Sequence, residues 1–566
     1  MRKKTVSRRD FVKATALGGG AMILAACAAP AAPEAAAPAA TAAPAATAAP
    51  AATAAPAATA APVPTLDPTA PQRGGSLVVG LMQSITTTDP QATGAFPTPH
   101  ISLPMFERLF AFGSKFEPVG ELAESWSSSD DQKTWTIKVL QGKKFHNGQQ
   151  MTAEDVKASL DRYMLVAPTA KALSTMKTIN VVDPYTVQLN FSEPMGDILR
   201  RLLANDGNAS VIMPKEIANA SFKELTDIVG TGPYKFVAYK PDDSFTVSRF
   251  EGYTPNVGPS NYQGGLKHAY VDEIVFRIVP EASTRVAGLE QGELDFILGL
   301  PETEFARLKE DPRMEPIAVK PPAFLWMFFN HKQGPMTNLK IRQAMAAGLD
   351  MEIVLRQVKS DPALTLAFGG LMPPTSAYSS DAGSIGFYNQ KDPDKAKKLM
   401  KEGGYKNEPI RILGLNTEEA LFRASVAIAE QLTNIGFNVD LQSYDVATWV
   451  AKRAEATEYE IFCTGGAQTN PLAWAANFSG TWPGPGLGYR SDRMDAVFAK
   501  MRIAKSDEEI KTLTEALQTV YYEDVACVPV GFQSVMNARS ARVNDPYGTL
   551  ELGIPQLYNL WLSKEV

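Results

Sequence analysis

The chain has 566 residues, of which 45% are hydrophobic and 20% charged, with a formal net charge of −6. Six positive residues and one negative residue in the first 13 carry +5, so the rest of the chain stands at −6 − 5 = −11. A body this acidic argues against nucleic acid and against lying flat on anionic lipid.

The first element is a leader. Arg2, Lys3, Lys4, Arg8, Arg9 and Lys13 precede an uncharged run from Ala14 to Ala26. Spanning hydrocarbon as a helix takes about 20 apolar residues, so this run is too short. A positive segment, an apolar segment and then small residues make a signal peptide over residues 1–26. The stretch SRRDFVK resembles a twin-arginine export signal, carried by Arg8, Arg9, Phe11 and Lys13. Leu24-Ala25-Ala26-Cys27 resembles a bacterial lipobox, which implies cleavage before Cys27 and a lipid on its sulfur.

Residues 27–73 read as a tether. They are almost all Ala, Pro and Thr, and from Thr41 the hexad TAAPAA repeats. So short a repeat buries no core, and its prolines favour extended, polyproline-like chain. About 40 such residues, fully extended at ~3.1 Å each, reach on the order of 120 Å.

From Gly74 onward the chain is too long for one core, which predicts two or three domains. GSLVVGLM (75–82) reads as a buried strand. TWTIKVL (134–140) and YTVQLNF (185–191) alternate as strands. Thr152 and Asp155 have capping-box spacing and open a helix with Val156, Leu160, Tyr163 and Met164 on one face. Asp392-Pro393 reads as an N-cap and first helical residue, with a stop at Gly403-Gly404. A longer helix with Leu421, Ser425, Ile428, Leu432 and Ile435 on one face ends at Gly436, and a strand follows. Strands and helices mix throughout, so the fold class is α/β.

No catalytic pattern emerges. The four histidines (His100, His146, His268, His331) share no metal-ligand spacing, and G-x-S-x-G, H-E-x-x-H and the P-loop pattern are all missing. An enzyme is therefore left without a positive feature, and no cofactor is expected. Beyond Cys27, Cys463 and Cys527 form either one disulfide or two buried thiols. Folding in the reducing cytosol before twin-arginine export favours thiols.

Five segments in order resemble one family, the solute-binding proteins of ABC importers in the dipeptide, oligopeptide and nickel class. They are ELAESWSSSDDQKTWTIKVLQGKKFHNGQQMTAEDVKASLDRY (121–163), GTGPYKF (230–236), RVAGLEQGELDF (285–296), FFNHKQGPMTNLKIRQAMAAGLDMEIV (328–354) and KAKKLMKEGGY (395–405). The resemblance covers essentially all of 74–566, with Leu140 where the family usually has arginine. It implies a periplasmic-binding-protein-like fold of two lobes with a ligand cleft between them. By analogy 74–109, 209–315 and 526–566 form lobe I, 110–208 an extra subdomain on its side, and 316–525 lobe II, with crossovers near 315 and 525. The signature speaks for this scaffold rather than for one ligand.

The ligand question turns on CTGGAQTNPLAW (463–474). Peptide-binding relatives carry a tryptophan and an aspartate here, and the aspartate pairs with the peptide ammonium. Aligned on Pro471, those positions are Thr464 and Ala467, so both groups are missing. What remains is Gly465 and Gly466, whose backbone lets a ligand approach, the amides of Gln468 and Asn470, and the ring of Trp474. Trp474 reads equally as a core residue on a helix face. Trp326 in the alternating FLWMFFN (324–330) either lines the cleft or is core. Asp89, in TTTDP, either faces the cleft where the first strand ends or makes an Asx turn before Pro90.

The resemblance therefore implies a lipid-anchored, extracytoplasmic, monomeric binding protein that captures ligand by lobe closure and serves an ABC permease and its ATPase. Peptide is the leading ligand. A neutral oligosaccharide, another small solute, or a sensory role on the same scaffold are the alternatives. Membrane contact is expected through the lipid alone.

Overall fold

The structure, a computed structural model, describes residues 71–94, 96–196, 203–204, 208–220, 225, 227–320, 323–466, 471–472 and 488–563. The export signal at Arg8, Arg9, Phe11 and Lys13, the lipidation candidate Cys27 and the tether up to residue 70 lie outside the described residues. The strands begin with β1 (Ser76–Leu81), then the small pair β2 (Phe110–Phe112) and β3 (Pro118–Gly120). Next are β4 (Ala123–Ser128), β5 (Thr134–Val139), β6 (Met176–Asp183) and β7 (Thr186–Phe191). The stretch to residue 318 holds β8 (Tyr234–Lys240), β9 (Ser244–Arg249), β10 (Glu273–Ile278), β11 (Phe296–Leu298) and β12 (Met314–Ala318). Then come β13 (Ala323–Phe329), β14 (Thr365–Leu366), β15 (Pro409–Leu415), β16 (Asn438–Tyr444), β17 (Ile461–Gly466), β18 (Cys527–Gln533) and β19 (Met536–Ser540).

Three larger sheets result. The first, ordered β12-β19-β11-β1-β10-β9-β8, is the sheet of one lobe, and the second, β14-β18-β13-β17-β15-β16, that of the other. The third, β4-β5-β7-β6, is the antiparallel sheet of the extra subdomain. Its alternation works as the sequence predicts: Trp135, Ile137 and Val139 are buried, while the residues between them are not.

Local chemistry sets the element ends as expected. The Asp155 carboxylate accepts from Thr152 N–H and Oγ1–H at 2.8 Å each and opens the helix Ala153–Val166. Asp392 caps Pro393–Glu402 by accepting from Lys395 N–H at 2.8 Å. The helix Glu419–Ile435 buries Ser425, Ile428, Leu432 and Ile435 and stops at Gly436, whose φ of 116° suits glycine.

The second sheet is covered on both faces. Leu325, Met327 and Phe329 of β13 pack with Ile341, Met345, Ile428 and Leu432. Trp326 and Phe328 point the other way and pack with Leu413, Trp449, Phe462 and Tyr521. This double burial explains why β13 is a nearly continuous apolar run. Cys463 and Cys527 sit on β17 and β18, the two neighbours of β13, at registers Met327↔Cys463 and Phe328↔Cys527. Two strand spacings, about 9–10 Å, exceed disulfide reach, and both are buried free thiols. Burial pushes the Cys463 thiol up to about 12.

The chain crosses between the two lobe sheets twice, from Ala318 to Ala323 and from Gln533 to Met536. Val319 N–H donates to Val535 O at 2.8 Å, so the crossovers touch. Both expected boundaries need correction. β12 pairs with β19 in the first sheet, which moves the first crossover from near 315 to beyond Ala318. β18, expected in the first lobe as part of 526–566, lies between β14 and β13 in the second sheet, which moves the return crossover from near 525 to beyond Gln533. A strand apolar on both faces looks the same in either sheet, and only its pairing partner reveals which one holds it. No helix among the described residues is long and apolar enough to cross a membrane.

Candidate functional site

In sheets with parallel strands, ligands bind beyond the strands' carboxyl ends. In the first lobe β1 runs parallel to β10 and β11, so those ends are Leu81, Ile278 and Leu298. In the second β15 runs parallel to β16 and β17, so they are Leu415, Tyr444 and Gly466. The two crossovers enter and leave beside them: Phe324, at the start of β13, is registered against Gly466.

Gly465 and Gly466 therefore stand where the sequence reading wants ligand contacts. A Cβ at Gly465 would lie 2.6 Å from Phe324 O, so glycine is needed for close strand approach. Ala467, Gln468, Asn470 and Trp474 lie outside the described residues. Trp326 is 1% exposed and packs under Phe324 with ring centroids 4.4 Å apart. It is core, and the half-buried Phe324 is the ring nearer the strand end. The same alternation that flagged Trp326 includes Phe324 one pleat earlier. Glu418 was missed as well: it immediately precedes the helix after β15, and burial raises its carboxyl above the usual range. Its signal is position alone, just past the carboxyl end of β15.

Asp89 is at the first lobe's strand ends but turned inward, with 0% exposure. Its Oδ1 accepts from Gln91 N–H at 3.0 Å, which is the Asx turn, and from Arg162 at 3.2 Å, while Oδ2 also takes Arg162. Arg162 further donates to Gln91 Oε1 at 2.7 Å. Nearby, Arg285 ties down the ends of β10 and β11 by donating to Val279 O at 2.7 Å, Pro280 O at 2.6 Å and Gly299 O at 3.0 Å.

Two charges of the signature segment, Glu121 and Lys143, are also internal. Glu121 takes Lys267 Nζ at 2.5 Å and Arg108 N–H at 2.8 Å. Lys143 Nζ lies 3.6 Å from Glu107 and donates to Thr254 O at 2.6 Å. All five charged side chains are at most 2% exposed. Burial pushes the Glu107 carboxyl up, but Lys143, Lys267 and hydrogen bonds from Thr231 and Tyr253 outweigh it and hold it below the usual range. Burial pulls Lys143 below the usual ammonium range. These residues hold the subdomain to the first lobe, so the signature describes scaffold.

The histidines do not converge. His146 Nδ1 accepts from Gly230 N–H at 3.2 Å while Nε2–H donates to Gly232 O at 3.0 Å, and His331 Nε2–H donates to Ala526 O at 2.7 Å. Among the described residues no group of three His, Cys, Asp or Glu is placed to hold a metal ion.

Comparison with known proteins agrees with this geometry. Residues 117–484 match the model of bacterial extracellular solute-binding proteins, family 5. A protein of Sinorhizobium fredii named as a probable peptide ABC transporter periplasmic-binding protein is 29% identical over 496 residues, 85% of this chain and 92% of its own. A periplasmic binding protein from Helicobacter pylori, solved with the peptide STSA, matches with a TM-score of 0.72 at 22% identity, covering 87% of this chain and 99% of its own. A Campylobacter jejuni protein solved with Ni(L-His) matches with a TM-score of 0.68 at 18% identity, covering 83% and 95%. With two lobe sheets, two crossovers and the added antiparallel subdomain on the page, the chain belongs to family 5 of the bacterial extracellular solute-binding proteins.

Proposed function

We propose that this chain is the lipid-anchored, extracytoplasmic binding component of an ABC importer and captures its solute by closing the lobes. The observation that carries the reading is the pair of sheets joined by two touching crossovers, with parallel-strand carboxyl ends on each side. Two short connections at one end are what a hinge needs. Closure selected by ligand then presents both lobes to the permease and its ATPase.

Peptide is the leading ligand class, supported by the Sinorhizobium relative's name and the Helicobacter protein's bound peptide. The Ni(L-His) complex supports a scaffold that takes other solutes too. Ala467 offers no carboxylate for a free ammonium, which favours a peptide without a free amine or a neutral polar solute such as an oligosaccharide. Thermal-shift titration with free and N-acetylated tripeptides, oligosaccharides and nickel chelates tests this. A true ligand raises the melting temperature with the logarithm of its concentration above Kd. Tight binding of free-amine peptides would sink the argument from Ala467, and no response from the whole panel would sink the transport reading. For the anchor, Cys27→Ala is expected to move the protein from the membrane to the soluble fraction. Retention in the membrane would show another anchor.

A further inference from the structure

A cavity of about 260 Å³ lies within the second lobe, between the helices Leu339–Gly348 and Pro393–Glu402 and the start of β18. All the described residues that line it, from Lys340 to Pro529, belong to that lobe. Its wall is mostly aromatic and aliphatic, with the rings of Phe387, Tyr388 and Tyr522 and the side chains of Ala346, Leu399 and Val528. The phenol groups are committed to main chain: Tyr388 O–H donates to Val530 O at 2.8 Å and Tyr522 O–H to Gly369 O at 2.5 Å. The tyrosines therefore offer the cavity ring carbon rather than a free hydroxyl. Two lining residues have left-handed backbone, Val525 at a φ of 46° and Asn389 at 50°. For β-branched Val525 that conformation is costly. Arg342 holds it by donating to Val525 O at 3.0 Å and Asp524 O at 2.8 Å, so this part of the wall is preformed.

The charged part of the lining is basic. Lys340 and Lys395 contribute to it, and no described lining residue is acidic. The other amides are spent within the protein. Asn389 Oδ1 accepts from Met351 N–H at 2.8 Å, and Gln390 Nε2–H donates to Phe387 O at 2.9 Å while its Oε1 accepts from Lys395 Nζ at 2.6 Å. Lys340 is paired with Glu402 at 3.1 Å. Among the described residues Lys395 has no carboxylate partner and the Gln343 amide has no hydrogen-bond partner. Lys395 is exposed and Gln343 half-buried, so a molecule in the cavity can reach both.

We propose that this cavity is a second binding site, separate from the strand-end cleft, for a small aromatic carboxylate with one ring on a short acid side chain. A cavity of about 150 Å³ accommodates benzene, so this one has room for a ring, a few further carbons and a carboxylate. The ring packs edge-to-face or offset among Phe387, Tyr388 and Tyr522. The carboxylate accepts from the Gln343 amide and from Lys395, whose ammonium has three donors and gives one to Gln390. A lining with cations and no acid favours the anion over a neutral ring of the same shape. Because the site is built by one lobe, the ligand binds whether or not the cleft between the lobes holds solute.

The test titrates the full chain by calorimetry with phenylacetate, 3-phenylpropanoate and the neutral 3-phenylpropan-1-ol. At least one acid is expected to saturate at one site per chain, with the alcohol about tenfold weaker. Lys395→Met is expected to weaken acid binding about tenfold and to leave the alcohol unchanged. Ala346→Leu and Leu399→Phe fill the cavity from its two helices. At least one of them is expected to keep the melting temperature and to abolish binding of acid and alcohol alike. No saturable binding of either acid by the wild type overturns the site. Equal affinity for acid and alcohol, or an unchanged affinity for acid in Lys395→Met, overturns the carboxylate. Full acid binding in a folded filling variant overturns the site because the acid then binds elsewhere. A lowered melting temperature in both filling variants overturns it too, because the space is then not there to fill.

Discussion

Acidification from pH 7 to pH 5, above the range in which most carboxylates titrate, is expected to remove several kcal/mol of this protein's stability. Burial pulls three imidazoles down: His100 to about 3, His146 to about 4 and His331 to about 4. An unfolded histidine titrates near 6.5. Folded values below unfolded ones mean that the unfolded chain binds more protons throughout the interval. The contribution is therefore fully present above pH 6.5 and is lost as pH falls toward the folded values. Near pH 5 the difference approaches three protons, which is about 4 kcal/mol per pH unit. Typical domains hold about 5–15 kcal/mol in total, so unfolding is expected before pH 4. Urea midpoints at pH 7, 6 and 5 measure this directly. His146→Gln, which keeps one hydrogen-bonding nitrogen, is expected to reduce the slope by about a third. A midpoint unchanged between pH 7 and 5 would mean that the imidazoles are charged in the native state, against their enclosure.

What the sequence makes legible follows range of interaction. The helix caps at Thr152 and Asp392, the stop at Gly436 and the alternation in β5 are decided by residues within one or two turns of each other, and all stand as read. The thiol state of Cys463 and Cys527 was left open by the sequence because only β13, placed between them, separates the two. The charged network could not be seen at all. Glu121 and Lys267 are 146 positions apart, and nothing in either neighbourhood marks the other as its partner. The crossover near 525 was misplaced for a related reason. The helix Asp507–Asp524 ends there, and a helix end is a local signal, whereas β18's membership of the second sheet depends on β13, some 200 residues earlier. For the site, neither the place of Gly465 and Gly466 in β17 nor the buried pairing of Asp89 was legible. The electrostatic neighbourhood of Asp89 is assembled from a helix 73 positions away.

That pairing leads to the largest single-residue effect expected here. Asp89→Ala leaves the Arg162 guanidinium, 0% exposed at its side chain, without its carboxylate. Removing one partner of a buried pair typically costs about 3–5 kcal/mol, because the buried charge loses compensation that water cannot replace. Gln91 softens the loss through its hydrogen bond to Arg162, and its own amide is held by Ser159 O and Val211 O at 3.0 Å each. It has no charge to offer. The loop 87–94 is expected to loosen with it, since Asp89 Oδ1 also holds Gln91 N–H. Chemical denaturation of Asp89→Ala, Arg162→Met and the double variant separates the possibilities. If the pair is scaffold, each single variant loses several kcal/mol and the double variant loses much less than their sum. If Asp89 instead served ligand, Asp89→Ala would keep its denaturation midpoint and lose affinity alone. An additive double variant would show that the two side chains, although in contact, do not stabilise each other.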